Sequence, residues 1–231
     1  LRPALMLWDH WAAHRSAVYV ANASVIKKRI ENVYGKKDVP IFFPPHSVDT
    51  TAPVEPIPGL EEFTESDDYF LIVSRLLPYK NVDKAVEACN ELGKKLLVIG
   101  RGPEKERLEA LAGPTIRIAS GVSDAQLRYA YRHCLALLAI SYEDFGITPL
   151  EAGASGKAVI AYRAGGFLDT IQEGKTGMFI NQPTVEQLVE ALKAFNPDDW
   201  DADYIREHVD GFSEARFISR LKTYVHALPE D

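Results

Sequence analysis

The chain is poor in cysteine, with Cys89 and Cys134 isolated among 231 residues. That excludes a disulfide framework and a cysteine metal site, and both residues are expected to be buried reduced thiols. No apolar run approaches the roughly 20 residues that a membrane helix needs, the longest being stretches such as 135–140. The start carries no charged-then-apolar leader pattern, and a soluble cytoplasmic protein is expected. A stripe of Lys and Arg with interleaved aromatics is also missing, and 26 basic against 33 acidic residues leave a net charge of −7. Nucleic acid is therefore excluded as an expected partner. Internal repeats and low-complexity segments are absent. What is present, 46% apolar and 26% charged residues, suffices for one good core and an appendage.

From residue 69 onward, short apolar runs alternate with amphipathic stretches of helical length, the signature of an α/β fold with a parallel sheet wrapped by helices. Strands are predicted at 69–73, 95–99, 115–118, 135–139, 158–161 and 178–180. Helices are predicted at 81–92, 104–111, 124–133, 147–155, 166–172 and 185–195. These make one doubly wound domain, in which ligands bind beyond the carboxyl ends of the strands. The first part reads as a helix over 3–15, strands at 18–20 and 40–43, and a helix over 25–34 capped by Ser24. That is one βαβ unit, too small to bury its own faces. The prolines Pro44, Pro45, Pro53, Pro56 and Pro58 then spell a linker, and the acidic run 61–68 a solvated loop. Two further helices are expected near 202–208 and 212–228. Residues 1–58 are thus read as one unit with its linker, and 59–231 as the main domain.

Three segments that follow strands carry chemistry. Ser74 to Lys80 sets two cations, Arg75 and Lys80, on a proline-shaped loop. Such a pair suits a diphosphate, or is two solvated surface charges. Ser141 to Glu151 sets Glu143 and Glu151 across a glycine turn that opens a helix. The amides of such a turn attract phosphate, and carboxylates accept from ribose or hexose hydroxyls. Thr148, Pro149 and Glu151 equally spell a capping box, so Glu151 is either cap or ligand. Gly165 and Gly166 permit close backbone approach to a ligand, or form an ordinary turn.

Other patterns fall short. Gly100-Arg101-Gly102-Pro103 lacks the third glycine and the acidic partner of a dinucleotide fingerprint, so a nicotinamide is disfavoured. His10 and His14 have no intervening glutamate and mark a helix face. Asp201 and Asp203 sit at a helix start, where aspartates cap. No metal site is expected. No serine or cysteine nucleophile elbow occurs, and His133 is expected to be packed or half exposed.

Taken in order, these segments resemble glycosyltransferase family 4, the retaining nucleotide-sugar enzymes with two Rossmann-like lobes in the GT-B arrangement. The stretches "VSRLLPYKNVDKAVEA", "LLVIGRGPEKERLEALA", "SYEDFGITPLEAGASGKAVIAYRAGGFLDTIQEGKTGMFI" and "FSEARFISRLKTYV" are similar to the donor-binding C-terminal lobe. "WDHWAAHRSAVYVANASVIKKRIENVYG" and "FFPPHSVDT" resemble the end of the N-terminal lobe and the interlobe linker, and with "EDFGITPLEA" look most like mannosyltransferases of polysaccharide assembly.

The resemblance implies that Arg75 and Lys80 hold the donor diphosphate, that Glu143 faces the transferred sugar, and that the amides of Phe145, Gly146 and Ile147 lie near the sugar and distal phosphate. Glu151 would accept from the ribose hydroxyls, and Gly121, Val122 and Ser123 would lie beside the base. GDP-mannose is favoured over a UDP-sugar, with a saccharide or lipid-linked acceptor, no cofactor and no metal. The sequence begins at Leu1 rather than Met, and the bulk of the acceptor-binding lobe, with its histidine, is not in these residues. Self-association through the uncovered faces, and peripheral contact with the inner membrane face through the absent lobe part, are implied as well. The alternative is a non-catalytic nucleotide-sugar binding module that needs a partner chain. Ser74, Ala158, Asp169 and His46-Ser47 depart from the family's usual residues; none of the four charged donor residues does.

Overall fold

A computed structural model describes residues 2–15 and 18–228. The chain opens with helices α1 (Arg2–His14) and α2 (Ser24–Tyr34), crosses the proline-rich stretch and forms one helical turn, α3 (Glu61–Thr64). The alternating part then runs β1 (Tyr69–Val73), α4 (Val82–Leu92), β2 (Lys95–Ile99), α5 (Lys105–Leu111), β3 (Ile116–Ala119), α6 (Asp124–His133), β4 (Leu137–Ala139), α7 (Thr148–Ala154), β5 (Val159–Tyr162), α8 (Phe167–Thr170), β6 (Gly177–Ile180) and α9 (Val185–Ala194). Helices α10 (Ala202–Asp210) and α11 (Glu214–His226) close it.

The six strands form one parallel sheet in the order β3-β2-β1-β4-β5-β6. Residues 69–72 of β1 are at most 2% exposed because helices cover both faces, which is why such strands read as unbroken apolar runs. One apolar cluster packs Phe70, Ile72, Leu96 and Val98 against α4 and α9, and a second packs Leu71, Leu97, Ala139 and Ala161 against α6 and α7. Cys89 and Cys134 are unpaired and fully buried, and burial pushes both thiols up to about 12. The chain order reverses between β1 and β4, and a crevice opens beyond their carboxyl ends.

Several boundaries depart from expectation. The strands predicted at 18–20 and 40–43 contract to one parallel bridge, Ala21 with Ile41. Pro40 supplies only its carbonyl there, and Pro44 and Pro45 cannot donate to extend the ladder. Ser24 does not cap α2: Ala23 holds the cap position, and the Ser24 amide instead donates to Asp169 Oδ2 at 2.8 Å. The helix predicted over 166–172 stops at Thr170, because Gln172 pairs with Thr176 through both its amide and its carbonyl. The acidic loop contains the turn α3, held by the burial of Thr64.

The first segment docks on the far end of the chain. Phe43 stacks on Phe145 at 5.8 Å and meets Phe212, Phe42 meets Tyr224, and Arg220 donates to the Ile41 carbonyl. Helix α1 buries none of its residues.

Candidate active site

The crevice at the β1/β4 reversal is built by two loops. After β1, the Ser74 amide donates to Ile99 and the Leu76 amide to the Arg101 carbonyl at 2.8 Å, which fixes the loop carrying Arg75. Pro78 then starts a single turn over Pro78–Lys80. Asn81 follows with φ of 56°, its side-chain amide donating to the Ile140 carbonyl at 2.9 Å. That bond carries the chain toward the β4 loop and leaves Lys80 facing it. The ammonium of Lys80 pairs with Glu143, their side chains 11% and 24% exposed. Ser141 Oγ donates to the same Glu143 oxygen at 2.5 Å.

Glycines set the second loop. A Cβ on Gly165 would fall 2.0 Å from the Glu143 carbonyl, and one on Gly166 would fall 2.2 Å from Phe145 Cα. The close backbone approach allowed by this glycine pair is therefore to the Glu143 loop itself, which the Gly166 amide also ties down through the Glu143 carbonyl at 2.9 Å. Gly146, at φ of 82°, turns the chain where a side chain would strike the Phe167 ring. The amides of Phe145, Gly146 and Ile147 have no acceptor among the described residues.

Two adjoining cavities share Lys80 and Thr148. The smaller, of about 110 Å³, is lined by Glu143, Gly146 and Ile147. The larger, of about 460 Å³, is lined by Arg75, Arg101, Gly121 and Val122. The fold thus brings Arg75, Lys80, Gly121, Val122, Glu143, Gly146 and Ile147 into one crevice. Phe145 lines neither cavity, its ring being buried against Phe43 and Phe212. Ser123 forms a capping box with Gln126 at the start of α6, and its hydroxyl is engaged there.

Glu151 lies apart. Its carboxylate accepts from Tyr131 Oη at 2.6 Å, and it lines a separate cavity with Ser47, Val48 and Arg128. Burial raises its pKa against the opposing pull of the Tyr131 hydrogen bond, and burial together with the Glu151 charge raises that of Tyr131. The capping box read over Thr148 to Glu151 does not form, since Thr148 is already the first residue of α7 and Ile147 holds the cap position, with no side-chain cap. Elsewhere, Asp201 caps α10 by accepting from the amides of Asp203 and Tyr204. His14 bonds to the His10 carbonyl within α1, and His133 bonds to Asp67. Sequence reasoning missed Ser141, two residues before Glu143, and Arg101, which stands in a motif set aside for lack of a dinucleotide fingerprint.

The family described as glycosyl transferases group 1 matches residues 56–209, two thirds of the chain, and the chain belongs to that family. It is 32% identical over 133 residues to glycogen synthase of Pseudomonas syringae pv. syringae (strain B728a), a match that covers 53% of this chain and 27% of that protein. It is 30% identical over 138 residues to the GDP-mannose-dependent alpha-(1-6)-phosphatidylinositol monomannoside mannosyltransferase of Mycobacterium tuberculosis (strain ATCC 25618 / H37Rv), covering 52% of this chain and 36% of that one. The matched stretch thus spans about a quarter to a third of the length of the curated relatives. Among solved structures, sucrose-phosphate synthase (tll1590) from Thermosynechococcus elongatus superposes with a TM-score of 0.80 at 19% identity, over 96% of this chain and 61% of that one. Anabaena Alr3699/HepE in complex with UDP-glucose does so with a TM-score of 0.78 at 14% identity, over 96% and 67%. These likenesses show the fold, the Rossmann-like α/β arrangement of GT-B glycosyltransferases. No helix among the described residues is long and apolar enough to cross a membrane.

Proposed function

We propose that the chain is the donor-binding lobe, residues 59–231, with the end of an acceptor lobe and its linker, of a retaining family 4 hexosyltransferase. Its donor is a nucleoside diphosphate sugar, GDP-mannose favoured, and its acceptor a saccharide or lipid-linked saccharide. The observation that carries this reading is the crevice at the β1/β4 reversal, where two cations, a carboxylate and a turn with free amides converge. Arg75 and Lys80 would meet the diphosphate, because charge-assisted hydrogen bonds to phosphate oxygens are among the stronger polar contacts a site can make. Free amides at Gly146 and Ile147 would add neutral donors to the distal phosphate. Glu143 would accept from sugar hydroxyls, so Lys80 must pass from Glu143 to the diphosphate as the donor enters. As the sugar–phosphate bond breaks, charge grows on the departing diphosphate, and cations already in place stabilise it without reorganising.

The mannosyltransferase relative favours GDP-mannose; the glycogen synthase relative keeps a glucosyl donor in view. The exposed side chains of Leu5, Met6, Leu7, Trp8 and Trp11 favour a second reading, a binding module completed by a partner chain, and suit self-association as well. Peripheral contact with the inner membrane face belongs to the acceptor side of the proposal. Calorimetric titration with GDP, UDP, ADP and their sugar conjugates tests the donor assignment; heat from none of them would end it. Positioning the acceptor can lower a barrier by about 7–11 kcal/mol, and in this reading the acceptor lobe supplies that positioning. Incubation of the chain alone with GDP-mannose and an acceptor panel is expected to give no acceptor-dependent GDP release.

A further inference from the structure

Most guanidinium groups of this chain are already engaged. Arg29, Arg107, Arg163, Arg206 and Arg216 bind carboxylates. Arg117, Arg128, Arg132 and Arg220 bind backbone carbonyls. Arg2 and Arg15 flank helix α1, the latter over the Trp11 ring. The remaining two, Arg75 and Arg101, line the same cleft. Among the described residues Arg75 meets only the Tyr79 hydroxyl at 3.2 Å, and the Arg101 side chain has no hydrogen-bond or carboxylate partner. Lys80, the other cation of that cleft, is taken by Glu143.

The backbone under Arg101 is fixed to the Arg75 loop. Leu76 donates to the Arg101 carbonyl, Glu104 donates to the Leu76 carbonyl at 3.2 Å, and Ser120 Oγ donates to the Gly100 carbonyl at 2.6 Å. Cβ atoms on Gly100 and Gly102 would fall 1.9 Å from the Ser74 carbonyl and 2.2 Å from the Leu76 carbonyl, so both glycines are needed for this close apposition. On the far side, Arg101 Nη2 lies 3.3 Å from the place of a Gly121 Cβ. The two guanidiniums are thus carried on loops that cannot drift apart, in a chain whose net charge is −7. An uncompensated pair of this kind, with five N–H donors on each group, is suited to phosphate oxygens.

We infer that Arg101 is a third cation of the donor site, binding the diphosphate from the Gly121 side of the cleft opposite Lys80. The inference rests on the donor reading given above and adds a residue and a geometry to it: Arg75 and Arg101 take the anion first, and Lys80 joins when the sugar hydroxyls replace it at Glu143.

The test is titration of the full chain with GDP, UDP and inorganic diphosphate, in the wild type and in Arg75→Ala, Arg101→Ala and Arg101→Lys. Arg101→Ala is expected to weaken all three ligands about tenfold or more, with Arg101→Lys recovering part of the loss and the unfolding temperature unchanged. Arg101→Ala binding like the wild type beside a weakened Arg75→Ala would overturn this inference and leave the donor site standing. Loss of GDP alone, with inorganic diphosphate unaffected, would also overturn it, in favour of a contact to the base. A wild-type chain that binds none of the three would overturn the donor reading itself.

Discussion

Leu71 and Leu7 are the same residue type in opposite situations: the first, in β1, is fully buried, and the second, in α1, is 74% exposed. Around Leu71 every neighbouring strand brings another apolar row, and helices close both faces. Around Leu7 lie Leu5, Met6, Trp8 and Trp11, all exposed. Apolar composition therefore does not decide burial; a surface to pack against does. The sheet supplies that surface to residues after 68, whereas the first segment borrows what it can from the chain's far end. Phe42 and Phe43 find α11, Phe145 and Phe212, and Ala23, Val25 and Ile26 pack into the cluster around Phe145.

Making one kind of substitution in both regions sharpens the contrast. Phe70→Ala removes a ring buried against Phe195 and should cost about 3–5 kcal/mol, lowering Tm by roughly 10 °C. Trp8→Ala should change stability by less than about 0.5 kcal/mol. Thermal unfolding of the two variants checks this, and comparable losses would mean that α1 is packed in solution. The crevice should respond in a third way. Arg75→Ala and Lys80→Ala leave the core untouched, and each should weaken nucleoside diphosphate binding roughly ten- to a hundredfold, Arg75→Ala at an unchanged Tm. Affinity unaltered in both would remove the cations from the donor site.

One bond across the seam between the regions satisfies a helix start. Asp169 accepts from the Ser24 amide, one of the unpaired donors at the start of α2. Asp169→Ala should cost about 1 kcal/mol, a shift of roughly 2–4 °C, and Asp169→Asn much less. An equal loss in both variants would point to charge, in place of the hydrogen bond, as the source of the effect.

The sheet was legible because strands buried on both faces must be apolar throughout, as Tyr69–Val73 and Lys95–Ile99 are. Helix α6 was legible to the residue because Leu127, Ala130 and Tyr131 repeat at helical spacing after a residue able to cap. Arg75, Lys80 and Glu143 were legible as charged residues in the loops that follow strands. What periodicity could not carry were pairings between residues far apart in the chain. The bond from Ser24 to Asp169, the bond from Tyr131 to Glu151 and the packing of Arg101 over Gly121 exist only once the sheet has formed. A carboxylate at the third position after a threonine looks like a cap in one dimension, and in three it is a half-buried acid that shares a cavity with Ser47 and Val48 of the linker.

Glu151 accordingly sets the finest test. Its pKa is raised above the ordinary 4.5, so the folded protein holds this proton more tightly than the unfolded chain does. Its contribution is then fully favourable below pH 4.5 and is lost as the pH rises through the folded value. A glutamine in its place could still accept from Tyr131 and has no charge to bury. The Tm of Glu151→Gln minus that of the wild type should therefore be near zero in acid and grow as the pH is raised past that window, a small effect that paired calorimetric scans can resolve. A difference that stays flat, or falls, would mean that hydrogen bonds stabilise the carboxylate more than burial opposes it. The ribose reading makes a separate demand, because two hydroxyl donors favour the charged form. If a nucleotide reaches Glu151, the same substitution must weaken GDP while raising Tm at neutral pH, and a 2′,3′-dideoxy diphosphate that binds as tightly as its parent would assign this acid to the fold alone.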